Sequence, residues 1–529
     1  MRLPRRVTRA APSDATHDSW GAHRAARYVT SEPGGPRTPL HSALAVRELA
    51  LPPGGPVACL RRLRREPYPW LLESARVDGP GGRFSFAGAD PYLVLRVFGR
   101  DSVLELRRDV RPDLRGMPAR LRGDPLELVR ELMPPRPVPK ETREGSPFAG
   151  GAVGFFGHEL ASQMENLAFH GRDELGLPDL CLLFVDRLLA FDHACGRCFA
   201  LALGFGAEET EAQQRAEAAA CAIANVTRGV LAESDRESVG VPAARLVVTP
   251  LFDESTYGKH VLTVKEHIEA GDVYQVCLTH RLEVPFAGDP FEIYAQLRLC
   301  NPSPFAAYLE LPEVAIVGSS PERFLRLAVD GRVESRPIKG TRPRGESGHE
   351  DARLRTELLG SGKDRAENVM IVDLVRNDLG RVCQTGSVEV RELCAVEDHA
   401  SVFQMVSTVS GRLREDRDLV DLLRVSFPPG SMTGAPKLAA LRILDQLEPV
   451  RRGPYGGALG YLDVRGGADL CVVIRTLLVQ SGRAFIHTGG GIVADSDPHA
   501  EWREAQDKAR ALVEAVARAS ASGGRATKA

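Results

Sequence analysis

Lysine is scarce in this 529-residue chain: 8 of its 68 basic residues are Lys and the other 60 are Arg. Arg, Ala, Gly and Pro are all heavily used, the imprint of a GC-rich coding sequence, so a Lys inside a motif stands out from its background. Charge of one sign is missing too. The 70 acidic residues leave a net charge of −2, which gives no electrostatic reason for a nucleic-acid or anionic-membrane partner. No apolar run approaches the ~20 residues of a membrane span. Arg2, Arg5, Arg6 and Arg9 are followed by no apolar stretch of the kind a secretory signal needs. The 10 Cys are scattered, and a chain of this length needs no disulfide staples. Cys195-x-x-Cys198, beside His193, lacks a second Cys or His pair for zinc, and Gly196-Arg197 reads as a hairpin turn. Reduced, buried thiols and a cytoplasmic location are expected, with no nucleic acid and no membrane as partner.

What remains is an ordinary globular composition, 43% hydrophobic and 26% charged, with ample length for a core. Residues 1–38 read as a disordered extension and 516–529 as a flexible tail. The first structured block, 39–205, holds short strands such as 92–98 and 180–185 between Gly and Pro. A helix and linker follow over 206–248. The second block, 249–515, mixes helices at 253–270, 363–379 and 436–447 with strands at 273–282 and three more between 457 and 488. Asp497-Pro498 opens a last helix. The spacing lacks a regular βαβ rhythm, which favours an α+β build with antiparallel sheets.

Several residues carry possible chemistry. Asp364 and Glu367 share one helix face; Glu501, Glu504 and Lys508 share another. Two such acidic pairs could hold Mg²⁺, a hard cation that takes oxygen ligands, although acidic pairs on helices also commonly face water. Gly489, Gly490 and Gly491 follow a strand and offer backbone N–H groups as an anion cradle, or simply a turn. Arg475 lies in Cys471–Leu478, which reads as one largely buried strand; its guanidinium needs either a structural carboxylate or a ligand carboxylate. Lys339 stands in a Gly- and Pro-flanked loop, a nucleophile if its amine loses a proton and a solvated surface group otherwise. Glu322 is a candidate acid or base seventeen residues earlier.

Taken together, Ser320-Pro321-Glu322-Arg323-Phe324, Pro337-Ile338-Lys339-Gly340-Thr341-Arg342, Ala366-Glu367-Asn368, Asp373-Leu374-Val375-Arg376-Asn377-Asp378-Leu379-Gly380-Arg381, Gly434-Ala435-Pro436-Lys437, Ile474-Arg475-Thr476 and Gly489-Gly490-Gly491 resemble the chorismate-utilising enzymes, the family of component I of anthranilate synthase and of aminodeoxychorismate synthase. The resemblance covers 249–512 densely and reaches the first block through Leu71–Ala75 and Gly82–Phe86. It implies a sandwich of two large antiparallel sheets with helices outside, an α+β fold of the anthranilate synthase component I type. It implies Mg²⁺ on Glu367 and Glu504, with Asp364 and Glu501 beside them. Arg475, Gly489, Gly490, Gly491, Thr433, Tyr461 and Lys508 fall at substrate-binding positions, Glu322 at an acid/base position. Ser74, Arg83, Phe84, Pro304 and Phe305 are similar to the family's tryptophan pocket.

Three positions bear on which member this is. Lys339 resembles the aminodeoxychorismate synthases, whose lysine amine is implied to attack ring C2; anthranilate synthases carry a small residue there. Gln404 stands where anthranilate synthases have a His linked to pyruvate elimination. Gln275 stands where isochorismate synthases have a Lys base that activates water. The implied reaction converts chorismate and ammonia to 4-amino-4-deoxychorismate, for p-aminobenzoate and folate biosynthesis. Anthranilate synthase component I is the alternative; a non-catalytic chorismate or tryptophan sensor is a remote one. The sequence has no Gly-x-Cys-x-Gly elbow with a later His-x-Glu, so a separate glutamine amidotransferase subunit is the expected ammonia donor. Burial of Lys339, with Arg336 and Arg342 three residues to either side, is expected to favour its neutral amine.

Overall fold

Alternation of side chains along the strands decides the layering. In Gly151–Phe156, Val153 and Phe155 point to one side while Ala152 and Phe156 point to the other. In Leu180–Val185, Cys181, Leu183 and Val185 oppose Leu180, Leu182 and Phe184 in the same way. Both strands are buried on both faces, so each reads as a continuous apolar run. A computed structural model describes residues 40–75, 82–134, 145–165, 167–230, 246–399 and 402–526. It forms two 12-stranded sheets in which neighbouring strands pair antiparallel. The inner faces enclose a core around Trp70, Phe148, Val153, Phe155, Leu183, Leu309, Tyr461 and Leu478.

Helices cover the outer faces. Gly55–Leu63, Pro290–Cys300 and Pro498–Ala526 lie on one sheet, and Pro125–Leu132, Gly362–Gly380 and Leu419–Ser426 on the other. Helix Glu254–Glu269 starts where Asp253 accepts a hydrogen bond from the Thr256 N–H at 2.8 Å, capping it. Among the described residues no helix is long and apolar enough to cross a membrane. All ten cysteines are free; Cys195 and Cys221 are exposed and Cys300 is half-buried, so burial does not hold for every thiol.

The two sequence blocks are not separate structural domains, because strands from both enter both sheets. Trp70–Glu73 pairs with Phe305–Glu310, and Gly151–Phe156 pairs with Ala458–Asp463. The expected extension at 1–38 and most of the expected linker lie outside the described residues. The tail expected from 516 is instead helical through Ala526, because Val516, Ala517 and Ala519 bury themselves on the sheet. The region read as three strands holds four: Ala458–Asp463, Ala468–Val472, Thr476–Gln480 and Arg483–Ile492.

Phe155 has no exposed surface and faces the layer between the sheets. Phe155→Ala is expected to cost about 3–5 kcal/mol, lost packing plus the cavity left behind, read from the urea unfolding midpoint.

Candidate active site

The site forms where two strand pairs pass from one sheet to the other. Ala315–Ser320 belongs to one sheet and Arg323–Leu327 to the other; Ala468–Val472 and Thr476–Gln480 make the reverse passage beside them. Val472 N–H donates to Glu322 O at 3.0 Å, Ser319 N–H to Arg475 O at 3.0 Å, and Ser320 Oγ to Val472 O at 2.6 Å. The passage breaks the single strand expected over 471–478. Arg475 takes a left-handed backbone, φ 51°, which turns its side chain out of the ladder.

Glu322 sits on the other passage, 5% exposed. Burial pushes its carboxyl up to about 7, against the pull of the Ser431 hydroxyl, the Lys339 charge and the Ile338 backbone. Lys339 lies in a strand, Ile338–Pro343, not in the expected loop. Pairing with Val402–Arg412 slips between Ile338 and Thr341, and Gly340 has φ 87°. This bulge aims Lys339 inward. A Cβ on Gly340 would fall 2.9 Å from Asp364, so only glycine fits here. Arg336 and Arg342 do not press on Lys339 as expected. Arg336 is paired with Glu397, and Arg342 with Glu357 at 2.9 Å and Asp364 at 3.1 Å.

Glu367, Glu501 and Glu504 approach the same space with three lysines. Lys339 Nζ is 4.0 Å from Glu367; Lys363 Nζ is 3.9 Å from Glu367 and 3.3 Å from Glu501; Lys508 Nζ is 2.6 Å from Glu504. Burial raises the Glu367 carboxyl, with Glu504 and Glu501 adding to the rise and the lysines opposing it. Lys508 chiefly lowers Glu504. Asp364 does not join them, because Arg342 holds its carboxylate. Among the described residues no three acidic, imidazole or thiol side chains are gathered to hold one ion; ammonium groups stand among the glutamates instead. The helix bearing Glu367 is pinned by Asn368, fully buried, which bonds Ser407 and donates to Met405 O at 3.3 Å.

The glycines are inside strand Arg483–Ile492, not in a loop after it. Beyond Ile486 that strand pairs, among the described residues, with Gln275–Pro285 on one side and with no strand on the other. A Cβ on Gly490 would lie 3.0 Å from Glu501 Oε2, 3.6 Å from Glu504 Oε1 and 3.7 Å from Lys508 Nζ. One on Gly491 would lie 2.5 Å from Gln275 Nε2 and 3.0 Å from Lys339 Nζ. The two glycines therefore floor a cradle between the acids and the lysine. Gly489 serves packing, since a Cβ there would strike Leu278 O at 2.1 Å; its own carbonyl accepts from Lys508 at 2.9 Å. Gln275 is fully buried, and neither amide atom has a hydrogen-bond partner among the described residues.

Arg475 donates to Lys508 O at 2.8 Å and has no ion pair among the described residues. Burial pulls its guanidinium down from the usual range, with Tyr455 and Glu504 opposing. Among the described residues no structural carboxylate accounts for this half-buried arginine. Tyr455, which sequence reasoning missed, stacks on His487 at 5.1 Å between rings and lies close enough to Arg475 to feel its charge. The only sequence signal was a tyrosine flanked by Pro454 and Gly456 in a turn. Lys363 was missed as well, although lysine scarcity marks it. Thr433 is fully buried beside Gln275; its hydroxyl donates to Gly430 O at 3.3 Å and its carbonyl accepts from Cys277 N–H at 2.8 Å.

Tyr461 does not belong to this cluster. It lies in the core between the sheets, stacked on Phe148 at 4.5 Å, and lines a separate cavity of about 280 Å³. Ser74, Arg83, Phe84, Pro304 and Phe305 come together around that cavity. Ser74 Oγ donates to Phe84 O at 2.8 Å, Arg83 pairs with Asp192 at 2.7 Å, and the Arg323 guanidinium lies 5.2 Å from the Phe305 ring centre.

Two large antiparallel sheets, with acids and lysines near where the strands change sheet, define the class of protein. The crystal structure of anthranilate synthase component I from Streptococcus pneumoniae shares this fold, with a TM-score of 0.69 and 29% identity, covering 82% of this chain and 92% of that one. A family model described as chorismate binding enzyme matches residues 75–514, and the chain belongs to that family. It is 36% identical over 471 residues to anthranilate synthase component 1 of Acetivibrio thermocellus, covering 87% of this chain and 92% of that protein. It is 40% identical over 486 residues to aminodeoxychorismate synthase of Streptomyces pristinaespiralis, covering 90% of this chain and 66% of that protein. The chain is a chorismate-utilising enzyme of the anthranilate or aminodeoxychorismate synthase type.

Glu322 gives a pH test of the site. Its folded value near 7 exceeds the usual 4.5, so the folded state is favoured by this group at low pH and loses that advantage as pH rises through 7. Glu322→Gln is expected to match the wild type in thermal midpoint at pH 5 and to exceed it at pH 8.5. A lower midpoint for the variant at pH 8.5 would contradict the burial argument.

Proposed function

We propose that this enzyme is an aminodeoxychorismate synthase component I, converting chorismate and ammonia to 4-amino-4-deoxychorismate for p-aminobenzoate and folate biosynthesis. The observation that carries the reading is Lys339: an amine on a bulged strand, over Gly491 and within electrostatic reach of the buried carboxyl of Glu322. Glu322 takes a proton from the Lys339 ammonium. The free amine attacks ring C2, the ring double bond shifts, and the C4 hydroxyl leaves as water with the proton Glu322 now holds. Ammonia then attacks C4 and the C2–N bond to Lys339 breaks, returning the amine and placing nitrogen at C4. A carboxyl near 7 suits both halves of this exchange. Arg475, half-buried and without an ion pair among the described residues, holds a substrate carboxylate, with the strand edge at Gly490–Gly491 beneath. Gln275 offers its free amide to the ligand and supplies no base, consistent with ammonia, which needs none. Gln404 likewise cannot serve as a base for pyruvate elimination, which supports amination without a lyase step.

Glu367, Glu501 and Glu504, which face lysines here and are not gathered on one point, would hold Mg²⁺ once those ammonium groups move aside. Their oxygens suit a hard cation, and two of them face the cradle that a Gly490 Cβ would fill. When bound, the ion would neutralise and orient the substrate's ring carboxylate. The ammonia donor is a separate glutamine amidotransferase subunit. The cavity at Ser74, Phe84 and Tyr461 is proposed to take tryptophan.

Two measurements test this reading. Intact-mass analysis after chorismate is supplied without ammonia is expected to show an adduct on Lys339. Lys339→Ala abolishes it, and Lys339→Arg is equally inactive because a guanidinium keeps its proton. A wild type with no adduct and a Lys339→Ala variant with normal 4-amination would sink the covalent step. Separately, excess chelator is expected to stop turnover and added Mg²⁺ to restore it. Glu504→Gln should lose about 10²-fold or more in kcat/KM, roughly 2.7 kcal/mol.

A further inference from the structure

Charges in the acidic cradle balance without any bound cation: three glutamates face three lysines. The three lysines are not equivalent. Lys339 has 12% of its side chain exposed and lies over Gly491, against Gln275. Lys508 is tied twice, to Glu504 and to Gly489 O at 2.9 Å. Lys363 is 43% exposed, stands on the first turn of helix Gly362–Gly380, and among the described residues its ammonium has only Glu367 and Glu501 as ion-pair partners. It alone can swing into water with little reorganisation. Glu501 would remain oriented without it, because Ser496 Oγ donates to the same oxygen at 2.7 Å.

We infer that Lys363 is a displaceable counter-ion: it pairs with Glu367 and Glu501 while the cradle lacks a divalent cation, and gives way when one enters. The inference rests on the proposed Mg²⁺ site. An ammonium and a divalent cation cannot share these oxygens without strong repulsion, so the lysine competes with the metal. It thereby stabilises the empty cradle and lowers its affinity for the ion.

Calorimetric titration of MgCl₂ into chelator-stripped protein, with thermal midpoints before and after metal, tests this. Lys363→Met is expected to tighten Mg²⁺ binding about fivefold, the equivalent of one partly exposed ion pair of ~1 kcal/mol. Its midpoint without metal should fall, and the rise on adding Mg²⁺ should be larger than in the wild type. Lys363→Arg, which keeps the charge, should bind Mg²⁺ as the wild type does. Unchanged or weaker Mg²⁺ binding by Lys363→Met, with wild-type binding intact, would overturn the counter-ion and leave the metal site standing. No binding by the wild type, in heat or in midpoint, would overturn the metal site and the inference with it.

Discussion

The passage of two neighbouring strand pairs between the sheets is the constraint on which the site depends. A strand that leaves one sheet for another must interrupt its ladder, and the interrupted residues escape the alternation that fixes all others. Glu322 and Arg475 are two such residues, on adjacent passages locked by backbone bonds between Val472 and Glu322 and between Ser319 and Arg475. Because each passage is tied into both sheets, these side chains are held by rigid elements. That is what a site needs to keep a buried carboxyl and a half-buried guanidinium in place.

Around this frame each remaining group has its own mechanical reason for being where it is. A bulge and a left-handed Gly340 turn Lys339 inward. Asn368 pins the helix of Glu367 to the strand that pairs with the Lys339 strand, so acid and amine share one support. The glycines at 490 and 491 leave room where side chains would collide with Gln275, Glu501 and Lys339. Arg452 bonds the carbonyls of Met432 and Cys277 and the carboxylate of Glu448, fixing the floor beneath Thr433.

Helix existence and the antiparallel layering were legible in the sequence because both follow from periodicity. Helix Glu254–Glu269 and strand Leu180–Val185 lie within two residues of their expected places. The strand changes were not legible: Cys471–Leu478 is apolar apart from Arg475 and Thr476, with no Gly or Pro to mark the break at Arg475. The same gap misplaced Tyr461. Alternation puts it between the sheets, whereas Tyr455, six residues earlier in a turn, reaches the site. Asp364 and Glu367 share a helix face, but only the position of Arg342, on another element, decides that Asp364 turns away.

In the proposed reaction Lys339 is the residue that separates amination at C4 from amination at C2, since a lysine tethered at C2 would block that carbon and direct ammonia to the other. Chromatography of the wild-type reaction with chorismate, Mg²⁺ and an ammonium salt reads that choice directly. The expected product is 4-amino-4-deoxychorismate with pyruvate retained on the ring; anthranilate as the main product would contradict it.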